Sequence, residues 1–363
     1  MSPAGSGGAR RRLAALRRRL DGLGVDALIV ADPDNIRYLT GFTGSSATLV
    51  VGRRRAVLLT DGRYRIQAAR ECRGIARRIT RDAAAETAGI VEEWGASRVG
   101  FESAALSYGR YERLRAALRR AARLKPLADA VESLRLIKEA SEIDALRAAA
   151  GLAALGFDEA ERLIRPGATE LEVAAGVEAA VRRRGAEGMA FETIVASGER
   201  CALPHARPTM KKIRKGELVL VDMGVRLEGY NSDNTRVYAV GRATRLQRDV
   251  YALVREAQER AVEAAAPGVA AEAVDAAARA VIRKAGYGRR FGHGTGHGVG
   301  LKVHEGPSIA PGSGAVLAQG MVFTVEPGVY IEGWGGVRIE DMVVLTGRGC
   351  EKITDAPGGL RVL

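Results

Sequence analysis

Two stretches of the chain repeat one another, and this repeat limits the possible folds more than any other feature. Pro166-Gly167 to Gly185 and Pro267-Gly268 to Gly286 have the same length and lie at an offset of 101 residues. At that offset Val173 meets Val274, Val181 meets Ile282, and Arg182-Arg183 meet Arg283-Lys284. Each copy reads as a helix entered from a Pro-Gly turn and stopped by glycine. Another helix precedes each copy and strands follow it. A region built from two similar α+β halves tends to place its site between them, where the halves face each other.

Each half also carries a carboxylate inside an apolar run and a second one shortly after. Leu218-Val219-Leu220-Val221-Asp222-Met223-Gly224 is a strand interrupted by Asp222, and Asp233 follows ahead of Thr235-Arg236-Val237-Tyr238. A chain reversal around Glu228-Gly229 would set Asp222 and Asp233 roughly across from one another on antiparallel strands. Val322-Phe323-Thr324-Val325-Glu326-Pro327-Gly328 repeats the pattern, and a reversal at Gly333, Gly335 and Gly336 sets Glu326 across from Glu340. Any one of these acids alone reads as a buried salt bridge to arginine. Four converging from two related hairpins are costly to bury unless something neutralises them, and two divalent cations would do so.

The four histidines of the chain, His205, His293, His297 and His304, fall in the same half as the carboxylates, three of them within Gly292 to Glu305. A single histidine is more often a hydrogen-bonded structural residue; all four gathered here point to a site. The glycines alternating around them match neither of the usual phosphate-loop spacings, and read as letting backbone come close to metal and substrate. No His-Glu-x-x-His and no Gly-x-Ser-x-Gly occurs, which speaks against a single-zinc protease and a serine hydrolase.

A chain of 363 residues exceeds what one hydrophobic core usually holds, and two domains are expected, residues 1–131 and 132–363. In the first, Met1 to Arg12 reads as a frayed start, followed by a helix with Leu13, Leu16 and Leu20 on one face, stopped by Gly22 and Gly24. Strand-like runs at Val25–Val30, Ala47–Val51 and Ala56–Thr60 interleave with helices, which predicts a small α/β domain. It holds no cluster of ligands and no nucleophile beside a base. Glu132 to Ala150 reads as a helical connector, with Leu134, Ile137, Ile143 and Leu146 apolar and Glu139, Glu142, Asp144 and Arg147 outward.

Composition narrows the partners. No apolar run approaches the roughly 18 residues that cross a bilayer and no apolar stretch follows the N-terminal arginines, so no membrane partner and a cytoplasmic location are expected. Cys72, Cys201 and Cys350 form no Cys-x-x-Cys and read as free thiols. The net charge of +13 is concentrated in residues 1–130, which hold 25 Lys and Arg against 13 acids. Those arginines fall on helical stretches without interleaved aromatics, which fits a solvated face rather than a nucleic-acid surface.

Five motifs carry a resemblance: Val221-Asp222-Met223-Gly224, Ser232-Asp233-Asn234-Thr235-Arg236, His293-Gly294-Thr295-Gly296-His297-Gly298-Val299-Gly300, Val325-Glu326-Pro327-Gly328 and Arg338-Ile339-Glu340-Asp341. They resemble the metallopeptidases of the pita-bread fold, in the Xaa-Pro branch of aminopeptidase P and prolidase. Asn35-Ile36-Arg37-Tyr38-Leu39-Thr40-Gly41-Phe42 and Thr60-Asp61-Gly62-Arg63-Tyr64 resemble the N-terminal domain of that branch. The resemblance implies an α+β protein, a pita-bread (creatinase/aminopeptidase-like) catalytic domain with an internal pseudo-two-fold repeat after a smaller α/β domain. It implies Asp222, Asp233, His297, Glu326 and Glu340 as ligands of two divalent metals, with Asp222 or Asp233 bidentate and Asp233 and Glu340 as bridges. Mn²⁺ is the first expectation, with Co²⁺, Fe²⁺ and Zn²⁺ compatible with the same donors. His205 and His304 match the family's substrate-side histidines, and His293 a third near the proline pocket.

The implied chemistry is attack by a hydroxide bridging the metals on the carbonyl before proline. Glu326 would pass the proton, His205 and His304 would stabilise the oxyanion, and Arg338 would orient an aspartate ligand. An Xaa-Pro aminopeptidase acting as a homodimer on short proline-containing peptides is the leading expectation, with prolidase as the alternative and a non-catalytic binding module further off. The N-terminal domain speaks against the methionine aminopeptidases, and the complete ligand set against relatives that lose it.

Overall fold

The computed structural model describes residues 6–119, 121–354 and 359–363. Contacts divide the chain into two compact units between Arg135 and Leu136. Met1 to Ala4 and Gly5, part of the expected frayed start, lie outside the described residues, and helix α1 (Ser6–Arg19) begins earlier than the leucine spacing indicates. Its Leu13, Leu16 and the following Leu20 are buried as that spacing requires.

The first unit is built on one mixed sheet of β1 (Ala27–Val30), β2 (Ala47–Gly52), β3 (Ala56–Thr60), β4 (Ala76–Ile79), β5 (Arg98–Glu102) and β6 (Arg123–Leu127), in the order β4-β3-β2-β1-β5-β6. β1 runs antiparallel to β2 and parallel to β5. It is buried along its whole length, which is why it reads as an unbroken apolar run. Helix α2 (Pro33–Thr40) starts on Asp32, whose side chain accepts from the Asp34 and Asn35 amides, and ends on Gly41 at φ 79°. Helices α3 (Arg65–Glu71), α4 (Ala83–Glu93) and α5 (Tyr108–Leu118) complete the layers. The short helix α6 (Glu132–Arg135) stays with this unit because Asn35 donates to Glu132 at 2.7 Å and Arg135 donates to Asn35 at 2.7 Å. The division therefore falls after Arg135 rather than after Val131.

The second unit repeats a helix pair: α7 (Ala140–Leu163) with α8 (Glu170–Arg183), and α9 (Arg245–Ala264) with α10 (Ala271–Lys284). α8 and α10 have 14 residues each. Gly167 and Gly268 ahead of them have φ 93° and 89°, and Gly185 and Gly286 after them 102° and 86°. Only glycine adopts that conformation without strain, so the backbone itself demands the repeated glycines. The connector is not one helix, since α6 stops at Arg135 and α7 starts at Ala140. Glu142, expected to point outward, is buried; it closes a capping box with Glu139 and accepts from the Tyr230 hydroxyl at 2.7 Å.

Four sheets accompany the helix pairs. β7 (Gly188–Met189), β10 (Val225–Leu227) and β11 (Tyr230–Asn231) form one; β8 (Ile194–Ser197), β9 (Leu218–Met223), β12 (Asn234–Ala239) and β20 (Arg361–Val362) form another. β13 (Gly296–Gly298), β14 (Glu305–Ile309), β15 (Val322–Val325), β18 (Asp341–Thr346) and β19 (Gly349–Lys352) form a third, in the order β14-β13-β15-β18-β19. β16 (Gly328–Ile331) pairs with β17 (Gly335–Arg338). The apolar stripe of α8, Val173, Val177 and Val181, packs with Val219 and Val221 of β9. Leu218 and Leu220, on the other face of β9, join the core that holds Val274 and Ile282 of α10. Asp222 shares the face of Leu218 and Leu220. Among the described residues no helix is long and apolar enough to cross a membrane.

Candidate metal centre

The first hairpin turns on two residues with positive φ, Glu228 at 48° and Gly229 at 79°, the signature of a tight two-residue reversal. Leu227 stands opposite Tyr230, and the same register runs on to place Asp222 opposite Thr235. Asp222 and Asp233 are thus diagonal neighbours on one face rather than a directly opposed pair. In the second hairpin, Val325 opposite Asp341 and Gly328 opposite Arg338 bracket Glu326 and Glu340, which stand directly across from each other. His297 enters from β13, between β14 and β15. A Cβ on Gly296 would overlap the Thr324 carbonyl oxygen, and one on Gly298 the Gly306 carbonyl oxygen. These glycines let neighbouring strands close around His297.

These elements bring the acids and His297 together. His297 Nε2 lies 3.5 Å from Asp233 Oδ2 and 3.3 Å from Glu326 Oε1. Candidate ligand atoms of Asp233, His297 and Glu340 lie within 4.8 Å of one another. Asp222 Oδ2 accepts from Arg338 at 2.6 Å, while its Oδ1 is buried and has no hydrogen-bond partner among the described residues. A cavity of about 500 Å³ is bordered by all five of these residues and also by His205, His293, His304 and Arg338. The His297 and His304 rings stand 4.1 Å apart between centroids.

The electrostatics is that of a site short of positive charge. Burial, reinforced by repulsion from neighbouring carboxylates, holds Asp233 and Glu340 well above the ordinary carboxylate range. Burial raises Asp222 and Glu326 as well, with Arg338 opposing it. Burial pushes His293 and His297 each down to about 4, which leaves neutral imidazoles with a lone pair to offer. Crowded carboxylates, an orphaned oxygen on Asp222 and a neutral histidine make an oxygen-rich donor set that fits divalent cations, whose charge would offset the repulsion.

Sequence reasoning passed over the hydroxyls that support this cluster. Thr235 Oγ1 donates to Glu340 at 2.6 Å and accepts from Arg338 Nε at 3.0 Å, and Thr324 Oγ1 donates to Glu326 at 3.0 Å. Both threonines lie two residues from an acid on the same strand path, and that spacing puts them on the same face. Tyr330 is the third. Its oxygen accepts from Arg338 Nη1 at 2.9 Å and its O–H meets His293 Nε2 at 2.9 Å. The opposite ring nitrogen of His293 faces the Gly294 carbonyl at 2.7 Å, so Nδ1 carries the proton and Nε2 accepts.

The family model of metallopeptidase family M24 matches residues 144–347. The chain belongs to metallopeptidase family M24. The Creatinase/Prolidase N-terminal domain matches residues 12–137 ahead of it. This M24 chain is 38% identical over 347 residues to the Xaa-Pro dipeptidase of Pyrococcus furiosus, covering 95% of this chain and 98% of that one. Among solved structures it resembles an Xaa-Pro dipeptidase from Bacillus anthracis, with TM-score 0.95 and 40% identity over 98% of this chain and 100% of that one. It also resembles an X-Pro aminopeptidase from Thermotoga maritima, with TM-score 0.89 and 37% identity over 95% of this chain and 100% of that one. The M24 chain therefore has the pita-bread fold behind a creatinase/prolidase-type domain, and it is a metal-dependent peptidase.

Proposed function

We propose that this M24 peptidase is an Xaa-Pro dipeptidase that holds two divalent cations through Asp222, Asp233, His297, Glu326 and Glu340. The observation that carries the reading is the make-up of the cavity, with crowded carboxylates and neutral imidazoles together on its walls and the cation Arg207 also bordering it. Cations bound there would polarise the scissile carbonyl and make water acidic enough to react near neutral pH.

The protein's own groups do the rest. Glu326, steadied by Thr324, takes a proton from the attacking water and delivers it to the departing proline nitrogen. His205 and His304 stand on the cavity wall where the carbonyl oxygen gains charge. Arg338 fixes Asp222 directly and Glu340 through Thr235. His293, held by Tyr330, forms the wall against the proline ring. Arg207, paired at 3.2 Å with Glu192 and 80% exposed, is free to turn to the carboxylate that ends a dipeptide.

The sequence motifs alone favour an aminopeptidase. Two of the three relatives named above are Xaa-Pro dipeptidases, which supports the alternative, and Arg207 agrees with them. The exposed Arg207–Glu192 pair also leaves room for a longer chain, which keeps the aminopeptidase as the second reading. The test is hydrolysis of an Xaa-Pro dipeptide and of the same peptide extended by one residue, by protein stripped with chelator and reloaded with Mn²⁺, Co²⁺ or Zn²⁺. Faster turnover of the dipeptide is expected. Preference for the longer peptide would make the enzyme an aminopeptidase, and no cleavage with any metal would sink both readings.

A further inference from the structure

His205 and Arg207 sit on a segment that leaves β8 at Ser197, and both ends of that segment converge on one carboxylate. Glu170, the first residue of α8, has no solvent exposure. Its Oε1 accepts from the Ser197 amide at 2.8 Å and the Ser197 hydroxyl at 2.9 Å. Its Oε2 accepts from the Thr209 amide at 3.1 Å and the Thr209 hydroxyl at 2.8 Å. Arg200 Nε spans both oxygens at 3.2 and 3.1 Å, and its Nη2 donates to the Arg207 carbonyl at 2.6 Å. Between these anchors, Arg338 donates to the Pro204 carbonyl at 3.2 Å, one residue before His205.

The start of α8 does not need Glu170. Thr169 caps the helix and Glu172 closes the capping box. Among the described residues the Glu170 carboxylate accepts from Ser197, Arg200 and Thr209, so the desolvation of this acid is offset by holding one segment and not by starting a helix.

We propose that Glu170 is a positioning residue for peptide hydrolysis: it clasps Ser197 to Thr209 and thereby sets where His205 stands against the cavity. The proposal rests on the reading of that cavity as the peptidase site. Displacing a catalytic side chain by about 1 Å costs on the order of 100-fold in rate; without the carboxylate the Ser197 and Thr209 amides lose their acceptor, and the ends are left to the Lys211 bond to the Ser197 hydroxyl and the Leu171 amide on the Thr209 carbonyl.

The experiment compares E170A, E170Q and the control E172A in metal-reloaded enzyme. E170A is expected to lower kcat/KM for an Xaa-Pro dipeptide about 10- to 100-fold with metal content per chain unchanged. E170Q, which keeps one acceptor oxygen, should fall between E170A and wild type, and it decides the matter if E170A does not fold. E172A loosens the helix cap but should leave kcat/KM as it is. In an H205A background the effect of E170Q should largely disappear, because both changes act through one group. Hydrogen exchange provides a readout that needs no activity: the Ser197 and Thr209 amides should lose protection in E170Q. Simple addition of the E170Q and H205A effects, full kcat/KM in E170Q, or an equal loss in E172A would overturn the proposal. A wild type that cleaves no Xaa-Pro peptide would overturn the functional reading instead, while exchange at Ser197 and Thr209 would still decide the clasp.

Discussion

Glu102 in the first unit and Asp222, Asp233 and Glu340 in the second are all buried acids at or beside strand ends, yet their surroundings differ in kind. Glu102 accepts from the Ala31 and Asp32 amides at 2.7 Å each and from Asn35 at 2.7 Å. The acids of the second unit face one another and His297, with Arg338 on Asp222, Thr235 on Glu340 and an Asp222 oxygen that has no donor among the described residues. Burial of a carboxylate therefore does not mark a reactive centre; a shortage of donors around several of them does. The first arrangement is complete in protein atoms alone, and the second calls for a cation.

The strongest way to break this comparison is to remove charge from each side. Asp233→Asn should abolish both metal retention and turnover, measured by metal analysis and peptide hydrolysis; a variant with wild-type turnover would remove Asp233 from the centre. Glu340→Gln should also be inactive, but in chelator its thermal unfolding should move up relative to wild type, since it relieves repulsion among unneutralised acids. A melting point that falls would mean the cluster is not strained without metal.

Next in size, His304→Ala should lower kcat by roughly 10²- to 10³-fold with metal content unchanged, as expected for loss of a donor to the oxyanion. Loss of metal in that variant would make His304 a ligand. Thr235→Val should reduce metal affinity or activity by about 10- to 100-fold, because Glu340 and Arg338 lose the hydroxyl between them. Titration of metal into the stripped variant measures it.

The smallest effects belong to the first unit. Glu102→Ala should cost about 1–3 kcal/mol of stability by leaving buried amides unsatisfied, with kcat unchanged in the metal-loaded enzyme. Burial pushes the Glu102 carboxyl up to about 7, against the pull of its three donors. The folded state then holds a proton that the unfolded chain releases near the ordinary glutamate value, so stability falls as pH rises through that interval and levels off above about 7. Denaturant unfolding of Glu102→Gln across this range should show a flatter profile; an unchanged slope would assign the pH dependence elsewhere.

Much of this was legible because it is local. The glycines that end α8 and α10 are fixed by a backbone angle, and the opposition of Glu326 and Glu340 follows from one short reversal. At the first reversal the tight turn at Glu228-Gly229 sets a register that pairs Asp222 with Thr235, so Asp233 stands across from Asp222 on the diagonal. Glu142 looked solvent-facing by helical spacing, but Tyr230, which lies far along the chain, covers it.

The sequence by itself determined the repeat, the apolar strands that carry acids, and the gathering of histidines, because period, turn chemistry and charge act over a few residues. Tertiary structure alone decided which hydroxyl supports which acid, why glycines flank His297, and that Glu170 reaches both Ser197 and Thr209. Those partners meet only after helices and sheets have packed, and packing depends on the faces that whole elements present to each other, which no local pattern encodes.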